Sequence, residues 1–257
     1  MNSASSDVNY AEIAHTLGLC LDLHQSPIAI SFADSIPTGV AHYAGRAPAG
    51  CRFWQDAATA AFATSSTDHE LCAIGVYTHH LQTSPAQQTD LVDALKVFGQ
   101  LDYVREEDLA QIPVLEKQPK HVIYAPLADT PLPPDVVLLF VNARQTLILS
   151  EAAQQVERQN APAMGRPACA VVPQVMNTGR AALSLGCCGA RAYLDVLTDS
   201  VAIFAIPGAK LEAYVRRIEA LAKANSVLSR FHEIRRRDVG AGLAPTIQDS
   251  LRAMESA

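Results

Sequence analysis

Four short apolar runs most constrain what this 257-residue chain can fold into. They are "PIAISFAD" from Pro27, "HVIYAPLAD" from His121, "DVVLLFVNA" from Asp135 and "VAIFAIPGA" from Val201. Each is bounded by Pro, Gly or Asp and reads as a buried strand. Helical patterns lie around them. Residues 8–23 carry Ile13, Leu17 and Cys20 at helical spacing, extended by Leu21 and His24. "DLVDALKVFGQLDYV", the stretch from about 143, and the long run after Pro207-Gly208 also read as helices. The alanine-dense "DAATAAFAT" is a good helix former, and the turn-rich "IPTGVAHYAGRAPAG" before it reads as a loop. Strands interleaved with helices predict an α/β protein.

The two halves share an order. The first runs strand, Cys51, alanine-rich helix, Cys72, strand; the second runs strand, Cys169, "GRAALSLG", Cys187, strand. Cys72 and Cys187 are soon followed by Gly75 and Gly189, and the later strands carry Tyr124-Ala125 and Phe204-Ala205. Two readings stay open. One is an internal pseudo-two-fold duplication of a strand–Cys–helix–Cys-Gly–strand unit, with halves near 26–129 and 135–210. The other is coincidence, because short apolar strands resemble one another readily. On either reading residues 1–245 form a single α/β domain, followed by a C-terminal tail at 246–257 with a short, weakly fixed helix.

A formal net charge of -6 gives no sign of a general nucleic-acid binder. The basic run Arg235–Arg237 reads as a solvated face complementing a helix C-terminus. The opening "MNSASSDVNYAEIAHTLGL" lacks a basic region followed by an apolar core, and no stretch approaches the roughly 18 apolar residues of a membrane span. The expectation is a cytoplasmic protein that keeps clear of membranes and nucleic acid, with homo-oligomers allowed. In that compartment six cysteines are expected to be free, catalytic or metal-bound rather than bridged.

The cysteines are scattered, with no C-x-x-C. Thiolate is the soft ligand that iron–sulfur clusters, zinc and copper(I) select. Cys51, Cys72, Cys169, and Cys187 or its neighbour Cys188, are the candidates. Cys51 is expected just before a helix, where the helix dipole lowers a thiol pKa. Gly186 and Gly189 would let backbone N–H groups approach sulfur, and Arg52 and Arg191 would supply positive charge. Set against this, unbridged cysteine packs as a small hydrophobe, and Cys20 in the first helix fits that role. The vicinal pair could also form a strained redox disulfide.

Other patterns are thinner. His79 and His80 are adjacent and read as polar surface or loop. His69, three residues before Cys72, is a minor candidate for mixed His/Cys ligation. Trp54 reads as core. There is no P-loop, dinucleotide fingerprint, G-x-S-x-G or H-E-x-x-H. A cysteine-nucleophile enzyme would need a base, and His69 and His79 qualify on spacing alone, so enzymatic activity stays open.

"LGLCLDLHQSPIAISFAD", "CRFWQDAATAAFAT…DHELCAIGVY" and "GRPACAVVPQVMNTGRAALSLGCCGARAYL…VAIFAIPG" together resemble the domain-of-unknown-function 169 family over roughly residues 10–235. The family's closing glycine-cysteine-x-glycine-x-arginine block is the most specific piece. The resemblance implies Cys51, Cys72, Cys169 and Cys187 as the family-type cysteines, with Cys20 and Cys188 as individual additions. It brings no established activity. The expected function is a protein holding a [4Fe–4S] cluster or another thiolate-bound metal, with an electron-transfer or redox- or metal-sensing role toward a partner protein. The alternative is a binding module for a small anionic ligand, anchored by Arg52, Arg180 and Arg191, with packed cysteines.

Overall fold

The computed structural model describes residues 8–47 and 49–255, apart from the side chain of Glu106. The expectation about a leader at residues 1–7 lies outside the described residues. The chain opens with α1 (Tyr10–Leu21) and β1 (Ile28–Ala33), followed by β2 (Ala41–His42), α2 (Arg52–Asp56) and β3 (Phe62–Thr64). Next come α3 (Ala73–Thr78), α4 (Pro85–Gln100), α5 (Glu106–Leu109) and β4 (His121–Pro126). The second half holds β5 (Val136–Val141), α6 (Ala143–Glu157), β6 (Ala163–Met164), α7 (Val171–Thr178), β7 (Ala182–Ser184) and β8 (Ala202–Pro207). The long α8 (Leu211–Gly240) and α9 (Ile247–Glu255) close the chain.

The strands form one mixed sheet in the order β2-β3-β4-β1-β5-β8-β7-β6. At its centre β1 and β5 pair antiparallel, Ile28 opposite Leu138. Counted outward, one side meets β4, β3, β2 and the other β8, β7, β6. The pairings match on the two sides: antiparallel, antiparallel, then parallel. The connectivity is therefore palindromic about the β1–β5 pair.

β5 is buried on both faces, so its run Val-Val-Leu-Leu-Phe-Val needs no polar alternation. Val137, Leu139 and Val141 face a layer made by α1, α6 and α8. Val136, Leu138 and Phe140 face the opposite side, where the cysteine-bearing connections pack with Phe53 and Trp54. Local signals fix the helical layer. Asn142 accepts from the Gln145 backbone N–H at 3.0 Å, and Gln145 accepts the Asn142 N–H at 2.7 Å, which starts α6. The Gln145 amide also donates to Leu21 and Asp22 carbonyls, both at 2.9 Å, and so ties down the end of α1.

The alanine-dense segment departs from its helical expectation. Helix α2 stops at Asp56, and Phe62–Thr64 pairs with Val122–Tyr124 of β4 instead. Alanine propensity is worth less than the ladder and the burial of Phe62 against Tyr43 and Tyr124. The turn-rich loop also contains β2, a two-residue edge strand. Past the sheet, Phe231 and Ile234 of α8 are buried and α9 packs against that helix. Arg235 reaches the Pro245 carbonyl at 3.2 Å. No helix among the described residues is long and apolar enough to cross a membrane.

Candidate functional site

Four cysteines occupy matching places in the two halves. Cys51 lies between β2 and β3, and Cys169 between β6 and β7; Cys72 lies between β3 and β4, and Cys187 between β7 and β8. Each stands where a helical segment begins. Cys51 caps α2 and Cys72 caps α3. Cys169 sits in the 3₁₀ turn Ala168–Ala170 that runs into α7. Cys187 immediately precedes Cys188, which caps a π turn at Gly189–Tyr193.

These connections bring the four thiols together. Cys51 is pushed up by burial and then by the neighbouring Cys72 and Cys187. Cys72 is raised by burial and also feels Cys187. Cys169 is raised well above the ordinary thiol value by burial, and by Cys72, Cys51 and Cys187. Every pair among the four is thus close enough for their charges to interact. Burial, and then the cost of placing like charges side by side, keeps Cys51, Cys72 and Cys169 protonated.

Donors oppose that tendency at individual sulfurs. Cys72 receives the backbone N–H groups of Gly50 and Gly75, which lower its pKa against the rise from burial. Cys187 Sγ accepts the Ala190 N–H at 3.5 Å, so the donor there is Ala190 and not the flanking glycines expected from sequence. Cys169 Sγ lies 3.2 Å from Thr78 Oγ1.

Two histidines complete the region. The expectation of polar surface or loop fails for His79, which is 3% exposed at the end of α3. Its Nδ1 lies 3.0 Å from the Gly75 carbonyl and 3.2 Å from Thr78 Oγ1. His69 is 1% exposed, and its Nε2 lies 3.2 Å from Thr64 Oγ1. Burial lowers His69 to about 3 and His79 to about 4, so both rings are neutral near pH 7. Their centroids are 6.3 Å apart. His69 Nδ1, His79 Nε2 and Trp54 Nε1 are buried without a hydrogen-bond partner. His80 is exposed, with Nδ1 2.8 Å from the Leu115 carbonyl.

The arginines are not gathered. Arg52 pairs with Asp56 at 3.3 Å, and Arg180 bonds the Gln159 side chain. Arg191 donates to the carbonyls of Leu185, Thr198 and Val201 and braces the loop that carries Cys187. Two open clefts of about 580 and 530 Å³ share Asp135 and Met176 in their walls, and none of the three arginines lines either cleft. Cys20 lies apart, beside Glu219. Cys188 is exposed and hydrogen-bonds the Tyr103 hydroxyl, with Arg166 stacked 3.6 Å above that ring. All six cysteines are free thiols, the vicinal pair included.

Among the described residues no three His, Cys, Asp or Glu side chains stand at the separations of a finished metal-ion site. The family model DUF169, described as uncharacterised ArCR, matches residues 16–217. The chain belongs to the DUF169 family. No curated protein and no solved structure shows significant similarity to it. The matched span contains all four clustered cysteines, His69 and His79, and it ends within α8.

Proposed function

We propose that this DUF169 protein is a thiolate-ligated metal or iron–sulfur protein with an electron-transfer or redox- or metal-sensing role. Its ligands would be Cys51, Cys72, Cys169 and Cys187. The observation that carries the reading is that the four thiols, drawn from connections up to 136 residues apart, lie within electrostatic reach of one another. Packing alone would be served as well by alanine or valine at such positions. Thiols this close, two buried and two half-buried, can ionise together only if a cation joins them, and a coordinated thiol is deprotonated outright.

Backbone donors to Cys72 and Cys187 suit a site that must tolerate thiolate charge. Closure onto a metal requires changes of side-chain rotamer, which the staggered wells of cysteine permit without refolding. Four thiolates are the usual ligand set of a [4Fe–4S] cluster and of a closed zinc site. A closed set favours electron transfer, sensing or structure over Lewis-acid catalysis. An electron-transfer role brings in a redox partner protein, and reduced thiols suit a cytoplasmic setting.

The test is elemental analysis of anaerobically purified protein. About one metal ion or one cluster per chain is expected, with brown colour and a broad band near about 400 nm if the group is iron–sulfur. Colourless protein with no bound metal would sink the proposal.

A further inference from the structure

We propose that the centre takes a nitrogen ligand as well, Nδ1 of His69 beside Cys72. The inference rests on the thiolate reading and deepens it.

The argument begins with a proton count. Thr64 Oγ1 lies 3.3 Å from the Val122 carbonyl and 3.2 Å from His69 Nε2. A carbonyl can only accept, so the bond to Val122 uses the single hydroxyl proton of Thr64 and leaves its oxygen to accept from His69 Nε2–H. The other tautomer would bury an Nδ1–H with no acceptor, the costlier arrangement. Nδ1 therefore carries a bare lone pair. It is buried and has no hydrogen-bond partner, in a residue that is 1% exposed. A bare nitrogen on a ring whose other N–H is held by a fixed acceptor is the state in which imidazole ligates a metal.

The surroundings locate the ligand. A Cβ placed on Gly75 would fall 2.7 Å from Cys72 Sγ and 4.0 Å from His69 Nδ1. A Cβ placed on Gly50 would fall 3.1 Å from His69 Nδ1 and 4.0 Å from Cys72 Sγ. Two glycines from different connections thus keep side-chain atoms out of the space bordered by this nitrogen and this sulfur. Gly50 precedes Cys51 directly, so the same corner adjoins a second candidate thiol.

A mixed sulfur–nitrogen set narrows the cation to the borderline class, zinc, cobalt(II) or iron, rather than copper(I). If the centre is an iron–sulfur cluster, imidazole ligation raises its potential, as it does in Rieske centres.

The experiment uses zinc as the probe on full-length protein freed of resident metal by chelation and kept reduced. Histidine ¹⁵N NMR of the wild type reads the ring directly. Before zinc, His69 should show a protonated Nε2 and a bare Nδ1. After zinc, the Nδ1 resonance should move from its bare position to a metal-bound one, with protons released from the cysteines. His69→Ala should weaken zinc binding by at least about tenfold, the scale of losing a group that supports a metal site. If that variant does not fold, the wild-type spectrum still decides. Zinc binding with proton release and an unmoved Nδ1 would overturn His69 as a ligand and leave the thiolate reading standing. Failure to bind zinc at all would overturn both.

Discussion

At Gly75 a single methyl group tests how tightly the site is built. Gly→Ala inside a helix ordinarily stabilises by about 0.4–1 kcal/mol. Here the added Cβ would meet Cys72 Sγ at 2.7 Å, and Cys72 can turn away only by giving up the Gly50 and Gly75 N–H groups, so the sign should reverse. Gly75→Ala should destabilise by about 1–2 kcal/mol in urea titrations, the usual cost of overpacking. The cysteines should divide in the same way. Replacing Cys51, Cys72, Cys169 or Cys187 singly by serine should lower metal content, because a hard hydroxyl substitutes poorly for soft thiolate. Cys20→Ser and Cys188→Ser should leave it near wild type, since one packs beside Glu219 and the other lies exposed against Tyr103. Equal loss at all six positions would point to unfolding instead. The buried rings and thiols also set a pH profile. His69 and His79 resist protonation down to about 3 and about 4, whereas an unfolded imidazole accepts a proton near 6.5. Their contribution is present above 6.5 and is lost as pH falls below it. The thiol pKa values are raised, so their contribution is present below the ordinary 9.0 and is lost above it, where the unfolded thiols ionise first. Metal-free protein should therefore be most stable between about pH 6.5 and 9 and lose a few kcal/mol, in order of magnitude, on each side. Metal-loaded protein should keep its stability above pH 9, because its thiolates are already formed. A flat profile for the metal-free protein would contradict the buried cluster.

The connections matter as much as the strands. Gly208 shows how little room they leave, since a Cβ there would lie 1.6 Å from the Pro134 carbonyl oxygen. Gly208 also donates to the Asp135 carbonyl at 2.8 Å, which joins the end of β8 to the start of β5. Gly208→Ala should destabilise by about 3 kcal/mol or more in denaturant titrations, while metal per folded chain stays unchanged. The four main strands were legible from sequence because each is a short apolar run between turn formers. Helices α1, α6 and α8 were legible from their spacing and, for the last, from the preceding Pro-Gly. "DAATAAFAT" was not, because alanine content reports intrinsic propensity and says nothing of the β4 edge waiting for Phe62–Thr64. The palindromic strand order is compatible with an internal duplication. If duplication is its origin, one rotation will superpose β1–β4 on β5–β8 and bring Cys51 onto Cys169 and Cys72 onto Cys187. Strands that match in order but need unrelated rotations would make the order a coincidence.

Taken whole, the molecule uses one face of its sheet for helices and the other for cysteine-bearing connections. The grouping of Cys51, Cys72, Cys169 and Cys187 was suggested by the repeated strand–cysteine order and by the family blocks. The buried histidines were not legible. His79 follows a polar-looking Tyr-Thr pair, and nothing local shows that Gly75, Thr78 and the second half of the chain close over it. The H-x-x-C spacing of His69 and Cys72 was the available signal, and its force became visible only with Thr64 and Val122 in place. The arginines, prominent in sequence, instead brace loops and a neighbouring carboxylate. A metal held by the four thiols would carry them as its nearest neighbours. X-ray absorption at the metal edge of anaerobically isolated protein measures this most directly. The expected spectrum has a sulfur shell at about 2.3 Å around the metal, reduced when any one of the four cysteines is changed to serine. A metal with only oxygen and nitrogen neighbours, or a sulfur shell indifferent to those substitutions, would contradict it.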